Sequence, residues 1–166
     1  RYGELFPEPQ AFNFGASLLK VPSLAVAGKM SKSENQFATL YLADDDDLIR
    51  KKVMKAKTDS GPTEPGSEMP DYIQNLFQLM SLVSEESTVQ KFRDDFNNAA
   101  IRYGDMKTQL AEDMVQFIAP IREKAQSIRR DEAYLKKVVG LGAEKARESA
   151  RKTINQARQL IGLNYF

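Results

Sequence analysis

Residues 106–128 read MKTQLAEDMVQFIAPIREKAQSI, and their apolar side chains recur at steps of three and four residues. This spacing aligns them along one face of an α-helix, so the stretch predicts a long helix that packs on a core. Pro120 lies inside it and is expected to kink the helix, because proline lacks the amide hydrogen that a helical hydrogen bond needs. The apolar positions are Met106, Leu110, Met114, Phe117, Ile121, Ala125 and Ile128.

The same periodicity predicts helices on both sides of this stretch. Residues 73–83 indicate one helix and residues 89–96 a shorter one, whereas residues 135–139 are expected to stop at Gly140. Residues 143–161 predict a last helix with a narrow alanine face, which would let a neighbouring helix approach closely. The methionines and phenylalanines of these stripes are interpreted as core residues and not as a cofactor site.

The first 57 residues have a different pattern. Residues 21–27 and 37–42 are short apolar runs typical of strand ends, too short to form a sheet of their own. Asp44–Asp47 can be a metal-binding cluster or the N-cap and acidic first turn of a helix, and the capping interpretation is favoured. That helix would run to Ala56, with lysines 51, 52 and 55 toward its C-terminal end.

These patterns together predict a mainly α protein with three regions. Residues 1–57 are interpreted as the trailing edge of a Rossmann-like α/β domain with a connecting helix. Residues 58–70, TDSGPTEPGSEMP, are rich in turn-forming residues and predict a linker. Residues 71–166 are then expected to form a helical-bundle domain.

The composition of the chain excludes several classes of structure and chemistry. The 166 residues are 42% hydrophobic and 28% charged, as in an ordinary globular protein, and no apolar run approaches a membrane span of roughly 18–20 residues. The absence of cysteine and histidine removes disulfides, thiolate nucleophiles and the commonest general base, and it suits a cytoplasmic protein. Residues 100–166 carry 13 basic and 8 acidic residues against a net charge of +1 for the chain. These basic residues suit binding to a polyanionic partner. Alternatively, they only keep the outer faces of the helices in contact with water.

Lys29-Met30-Ser31-Lys32-Ser33, directly after Gly28, is the stretch that points most directly to chemistry. Two ammonium groups and two hydroxyls on one short segment suit a phosphate-bearing ligand. On composition alone a surface turn rich in lysine and serine explains the same residues.

The order of several motifs resembles the C-terminal part of bacterial tryptophanyl-tRNA synthetases, which are class I aminoacyl-tRNA synthetases. Residues 29–33 match the KMSKS signature loop of that class without a substitution, and residues 1–9 resemble the segment that precedes it. Further matches are KKV at 51–53 with AKTDS at 56–60, then Tyr103-Gly104 with Lys107, Leu110-Ala111 and Pro120-Ile121, and GAEKA at 142–146. Related tyrosyl enzymes share the loop, whereas the helical motifs favour tryptophan.

The resemblance implies an enzyme that activates L-tryptophan with ATP, with Mg²⁺ expected, and then transfers the tryptophanyl group to tRNA(Trp). It implies that Lys29 and Lys32 contact the triphosphate, with Lys32 stabilising the transition state, and that Ser31 and Ser33 help to hold phosphate. Met30 would anchor the loop, and Val21 would lie beside the adenine through its backbone. The loop is expected to move when ATP binds, because Gly28 and a polar run flank it.

The same resemblance makes residues 71–166 an anticodon-binding domain and the longer protein a homodimer. Basic and aromatic side chains are candidates for RNA contact only by charge and position, namely Arg102, Tyr103, Lys107, Arg122, Arg129 and Arg130. The second signature of the class needs histidine, which this chain lacks, so the chain is expected to be an inactive fragment on its own. The alternative is a non-catalytic helical module that binds RNA or protein.

Overall fold

The computed structural model describes residues 3, 5–12, 20–25, 28–33 and 35–163, and over these residues it contains five α-helices and no strand. The helices are α1 (Asp46–Met54), α2 (Asp71–Val83), α3 (Glu86–Asn97), α4 (Tyr103–Arg130) and α5 (Glu132–Leu160). The prediction of a mainly helical chain is therefore confirmed, including the long helix that contains Pro120.

Pro22 and Lys29 form an isolated antiparallel bridge where the sequence predicted a strand end. Proline has no amide hydrogen to donate to a neighbouring strand, which limits how far such pairing extends. Of the predicted extended segment, Val26 and Ala27 lie outside the described residues. Arg1, Tyr2 and Glu4 of the first motif also lie outside them.

Residues 15–124 form one compact unit around a single hydrophobic core. All four helices that begin in this unit contribute to it: Ile49 and Val53 from α1, Ile73, Leu76, Phe77, Leu79 and Met80 from α2, Val89, Phe92 and Phe96 from α3, and Met106, Leu110, Ala111, Met114, Val115 and Ile118 from α4. The interpretation of the methionines and phenylalanines as core residues is confirmed for Phe77, Met80, Phe92, Phe96, Met106 and Met114. It is wrong for Phe117, which is 50% exposed, and Ile121 of the same stripe is 40% exposed.

The acidic run at 44–47 caps α1. The Asp45 carboxylate accepts a hydrogen bond of 2.7 Å from the Leu48 amide, and Asp46 and Asp47 occupy the first turn. Both features stabilise a helix start, since the free amides there carry partial positive charge. The capping interpretation is therefore confirmed. The described part of the chain holds no group of three or more acidic residues placed to bind a metal.

Residues 1–14 and 125–166 form the second compact unit, which contains α5. The predicted stop at Gly140 is wrong, because α5 continues through Gly140 and Gly142. The glycine that follows the helix is Gly162, with φ of +78°, a left-handed conformation that glycine adopts without steric cost. No residue of α5 is buried, so the close packing expected of its alanine face is absent from the described structure.

None of the described helices combines the length and the apolar character needed to span a membrane. The boundary predicted at residues 58–70 stays a prediction.

Candidate phosphate-binding loop

The loop Lys29–Ser33 is held at its start by backbone hydrogen bonds to residues 21–23. The Met30 amide donates to the Val21 carbonyl at 2.9 Å, and the Ser23 amide donates to the Gly28 carbonyl at 3.1 Å. Gly28 adopts φ of +95°, where a side chain would be strained, so glycine is required for this turn. Val21 thus meets the loop through its backbone carbonyl.

The side chains of the loop separate into an exposed polar set and one anchor. Lys29, Lys32 and Ser33 are exposed, and the Ser31 and Ser33 hydroxyl oxygens lie 2.9 Å apart. Met30 is partly buried and packs against the core. The ammonium groups of Lys29 and Lys32 thus lie on an exposed segment beside two hydroxyls that hydrogen-bond each other.

An apolar cavity of about 600 Å³ lies beside the loop, within the unit 15–124. Its walls come from Leu40 and Leu42, from the end of α2 and from the middle of α4. Lys20 and Lys29 also line it. Phe117 is one of these wall residues, and this explains why an apolar position of the α4 stripe remains half exposed.

Polar side chains of α4 form hydrogen bonds with the backbone at both ends of α1. Lys107 donates to the carbonyl oxygens of Met54 (3.2 Å) and Ala56 (3.3 Å), which complements the negative C-terminal end of α1. Arg122 donates to the Asp44 carbonyl at 2.6 Å, just before α1 begins. These contacts make α1 run antiparallel to α4.

A third polar contact joins the middle of the two helices. The Arg50 guanidinium donates to both carboxylate oxygens of Glu112, at 2.7 and 3.0 Å. This paired hydrogen bond from Arg50 lowers the pKa of Glu112 below its ordinary value. The pair lies at the surface, so it orients α1 more than it stabilises the fold.

Of the six residues suggested for RNA contact, three have structural roles. Lys107 and Arg122 are bound to the α1 region as described, and Tyr103 is buried with only 8% exposed. Burial, with a smaller contribution from the charge of Asp59, raises the pKa of Tyr103. The other three, Arg102, Arg129 and Arg130, are exposed and remain candidates.

Asp59, in the TDS part of the resemblance, organises the turn that follows α1. Its carboxylate accepts 2.8 Å hydrogen bonds from the Tyr72 hydroxyl and the Gly61 amide. Partial burial acts to raise the pKa of Asp59, but these hydrogen bonds to the charged form outweigh it and leave the pKa below its ordinary value. Gly61 has φ of +95°, so it makes the turn that brings its amide to the carboxylate.

Three residues of this region were missed as a group by sequence reasoning: Thr39, Asp44 and Lys52. The sequence placed Lys52 only as a cation toward the C-terminal end of α1, where the helix dipole favours positive charge, but its side chain is 2% exposed. The signal was present in the spacing, because Lys52 falls between Ile49 and Val53 on the apolar face of the helix. The two residues that its ammonium group contacts, Asp44 and Thr39, lie in irregular backbone, for which periodicity makes no prediction.

Comparison with known proteins agrees with the family resemblance of the sequence as a whole. The family model for "tRNA synthetases class I (W and Y)" matches residues 1–119. A tryptophan–tRNA ligase of Porphyromonas gingivalis is 51% identical over 96% of this chain and 48% of its own length. One of Helicobacter pylori, strain J99, is 39% identical over 98% of the chain and again 48% of its own length. The chain thus spans about half the length of the curated relatives it matches.

The fold has a counterpart among solved structures. Tryptophanyl-tRNA synthetase from Campylobacter jejuni, in a complex with ADP and tryptophan, superposes with a TM-score of 0.69 at 24% identity. The match covers 90% of this chain and 45% of that one. Because the family model covers well over half of the sequence, the chain belongs to the class I tRNA synthetases of the tryptophan and tyrosine group.

Proposed function

We propose that this chain is the part of a tryptophan–tRNA ligase that supplies the ATP-phosphate-binding KMSKS loop and the anticodon-binding helices. The observation that carries the proposal is the loop itself. Lys29 and Lys32 are exposed on one tight segment beside two adjacent hydroxyls, and Met30 anchors that segment on the core. The names of the relatives favour tryptophan as the amino acid.

In the proposed reaction the carboxylate of tryptophan attacks the α-phosphorus of ATP, and the bond to pyrophosphate breaks. Negative charge then builds up on the phosphoryl oxygens and on the departing pyrophosphate. Catalysis of such a step consists mainly of positioning and charge stabilisation. Lys32 would stabilise that charge, Lys29 would hold the triphosphate, and the Ser31 and Ser33 hydroxyls would donate to phosphate oxygens.

The second step transfers the tryptophanyl group to the terminal ribose of tRNA(Trp), with release of AMP. Mg²⁺ would enter with ATP as part of the substrate. The remainder of the active site, including the tryptophan pocket and the histidine signature of the class, would come from the other half of a longer, homodimeric and cytoplasmic enzyme. Residues 1–57 would complete the edge of its α/β domain, and the isolated chain would be inactive.

The helical part would bind the tRNA anticodon. Arg102, Arg129 and Arg130 are exposed basic residues of the kind that hold an RNA backbone while unstacked bases are read. The excess of basic residues over 100–166 gives this part a favourable charge for RNA.

Binding of the 166-residue chain to tRNA(Trp), with an anticodon-swapped tRNA as the control, tests this second role. We expect weaker binding to the swapped tRNA at both low and high salt, because base contacts are lost while phosphate contacts are kept. Equal binding to the two tRNAs, with a steep loss at high salt, would show only a basic surface and would contradict anticodon recognition by this chain.

A further inference from the structure

The buried Lys52 ammonium forms a network that ends on the loop. Its Nζ donates to the Asp44 carboxylate at 2.6 Å and to the Thr39 carbonyl at 2.9 Å, and it lies 4.7 Å from the centre of the Tyr41 ring. The side chains of Lys52 and Asp44 are 2% and 8% exposed. The three donors of the ammonium group thus face an anion, a carbonyl and an aromatic ring.

Thr39 connects this network to the loop through one hydroxyl. Its Oγ1 donates to the Ser31 carbonyl at 3.0 Å and accepts from the Ser31 amide at 3.3 Å, an arrangement that we call the Ser31 clamp. Thr39 is itself only 5% exposed. The clamp holds both backbone groups of the central loop residue, directly before Lys32, at a fixed place over the core.

The far end of the network is fixed by α4. The Asp44 carboxylate also accepts from the Tyr41 amide at 2.9 Å, while its carbonyl accepts from Arg122 at 2.6 Å. A second guanidinium nitrogen of Arg122 contacts the Asp46 carboxylate at 2.5 Å. A continuous series of contacts therefore runs from α4 through Asp44, Lys52 and Thr39 to Ser31.

Stability alone does not account for a lysine in this position. Burying an ammonium group and a carboxylate removes the hydration of both ions, and apolar residues of similar volume are often at least as stable. Lys52 lies on the apolar face of α1, where a methionine would fill the same space. What a methionine would not supply is a donor for the Thr39 carbonyl, which fixes the backbone of the residue whose hydroxyl forms the clamp.

We propose that Thr39 and Lys52 are positioning residues for the phosphate-binding loop: Lys52 fixes Thr39, and the Ser31 clamp then sets the place of Lys32 at the triphosphate. This inference rests on the proposed function. It predicts that the clamp matters for the rate of adenylate formation and leaves tryptophan binding unaffected, because neither residue contacts the amino acid in this scheme.

Thr39→Val in the full-length ligase tests the clamp, with Thr39→Ser as the matched control. Valine keeps the shape and removes the hydroxyl, whereas serine keeps the hydroxyl. Replacing Lys52 would leave Asp44 buried without its partner, so Thr39 gives the cleaner experiment. The measurements are hydrogen exchange of the Ser31 amide, and kcat and KM of tryptophan-dependent pyrophosphate exchange.

We expect Thr39→Val to speed exchange of the Ser31 amide and to lower kcat, each by about tenfold, through loss of local order and of loop placement. The KM for tryptophan should stay unchanged, and Thr39→Ser should restore both properties. Wild-type exchange of the Ser31 amide in Thr39→Val would overturn the clamp. So would a kcat unaffected by faster exchange, or a serine variant that behaves like valine.

This experiment distinguishes a failure of the proposed function from a failure of the Ser31 clamp. If the unaltered ligase showed no pyrophosphate exchange with tryptophan, the proposed function would fail. Hydrogen exchange at Ser31 would still decide whether the clamp exists, since that measurement needs no substrate.

Discussion

Lys32→Ala in the proposed full-length ligase is expected to lower the rate of tryptophanyl-adenylate formation by about 100- to 1,000-fold, the usual effect of removing one donor from a developing negative charge. The loss should fall mainly on kcat, because the contact strengthens as charge moves onto the pyrophosphate. The unfolding midpoint should not change, because the Lys32 side chain is exposed. The measurement is ATP–pyrophosphate exchange together with thermal unfolding of the same preparation.

Lys51→Ala is a suitable control for this variant. Lys51 is an exposed lysine on α1, so the substitution removes the same charge from outside the loop. It should leave pyrophosphate exchange close to the wild-type rate. A Lys32 variant as active as the Lys51 variant would exclude the role proposed for Lys32, even if the protein were a tryptophan–tRNA ligase.

The second large expected effect is a loss of stability when the hydrophobic core is truncated at Phe77. Phe77 of α2 is 0% exposed and packs among the residues that α1, α3 and α4 contribute. Phe77→Ala should lower the free energy of unfolding of the 166-residue chain by about 3–5 kcal/mol, because it removes buried apolar surface and leaves a cavity. Chemical denaturation followed by circular dichroism measures this difference, provided that the unit 15–124 unfolds in a single transition.

Phe117→Ala serves as the matched comparison, since the same atoms are removed from a side chain that is 50% exposed. Phe117 lines the open cavity beside the loop, so its loss should cost about 1 kcal/mol or less. Similar losses for the two variants would contradict the burial of Phe77 in the core.

The helical part of the fold could be predicted from sequence because its signal is local. Apolar residues at steps of three and four mark α2, α3 and α4, and the structure buries most of those positions. The error at Gly140 has a simple physical reason. A glycine inside a helix costs only about 1 kcal/mol relative to alanine, which neighbours with high helix propensity outweigh. Helix α5 ends instead before Gly162, where the backbone turns left-handed.

The candidate site could be predicted only in part, for a similar reason. Residues 29–33 can be singled out from sequence because they are contiguous and match the KMSKS motif of a known class of enzymes. The Ser31 clamp depends on Thr39 and Lys52, which are eight and twenty-one residues further along the chain. The path between them includes irregular backbone, so no periodic pattern predicted that a lysine on the apolar face of α1 would find a carboxylate and a carbonyl.

The candidates for RNA contact show that charge and position alone can select residues that the fold itself uses. Tyr103, Lys107 and Arg122 were selected by charge and position, yet all three are used inside the protein. Net charge reports the number of basic residues but not which of them are engaged by neighbouring carbonyls and carboxylates. Only the folded structure separates these three from the exposed Arg102, Arg129 and Arg130.

The most direct test of the central claim is amino-acid-dependent ATP–pyrophosphate exchange by the unaltered full-length protein, with tryptophan and tyrosine compared at equal concentration. The proposed function predicts exchange that depends on tryptophan and is at most weak with tyrosine. Exchange driven by tyrosine, or no exchange with either amino acid, would contradict it.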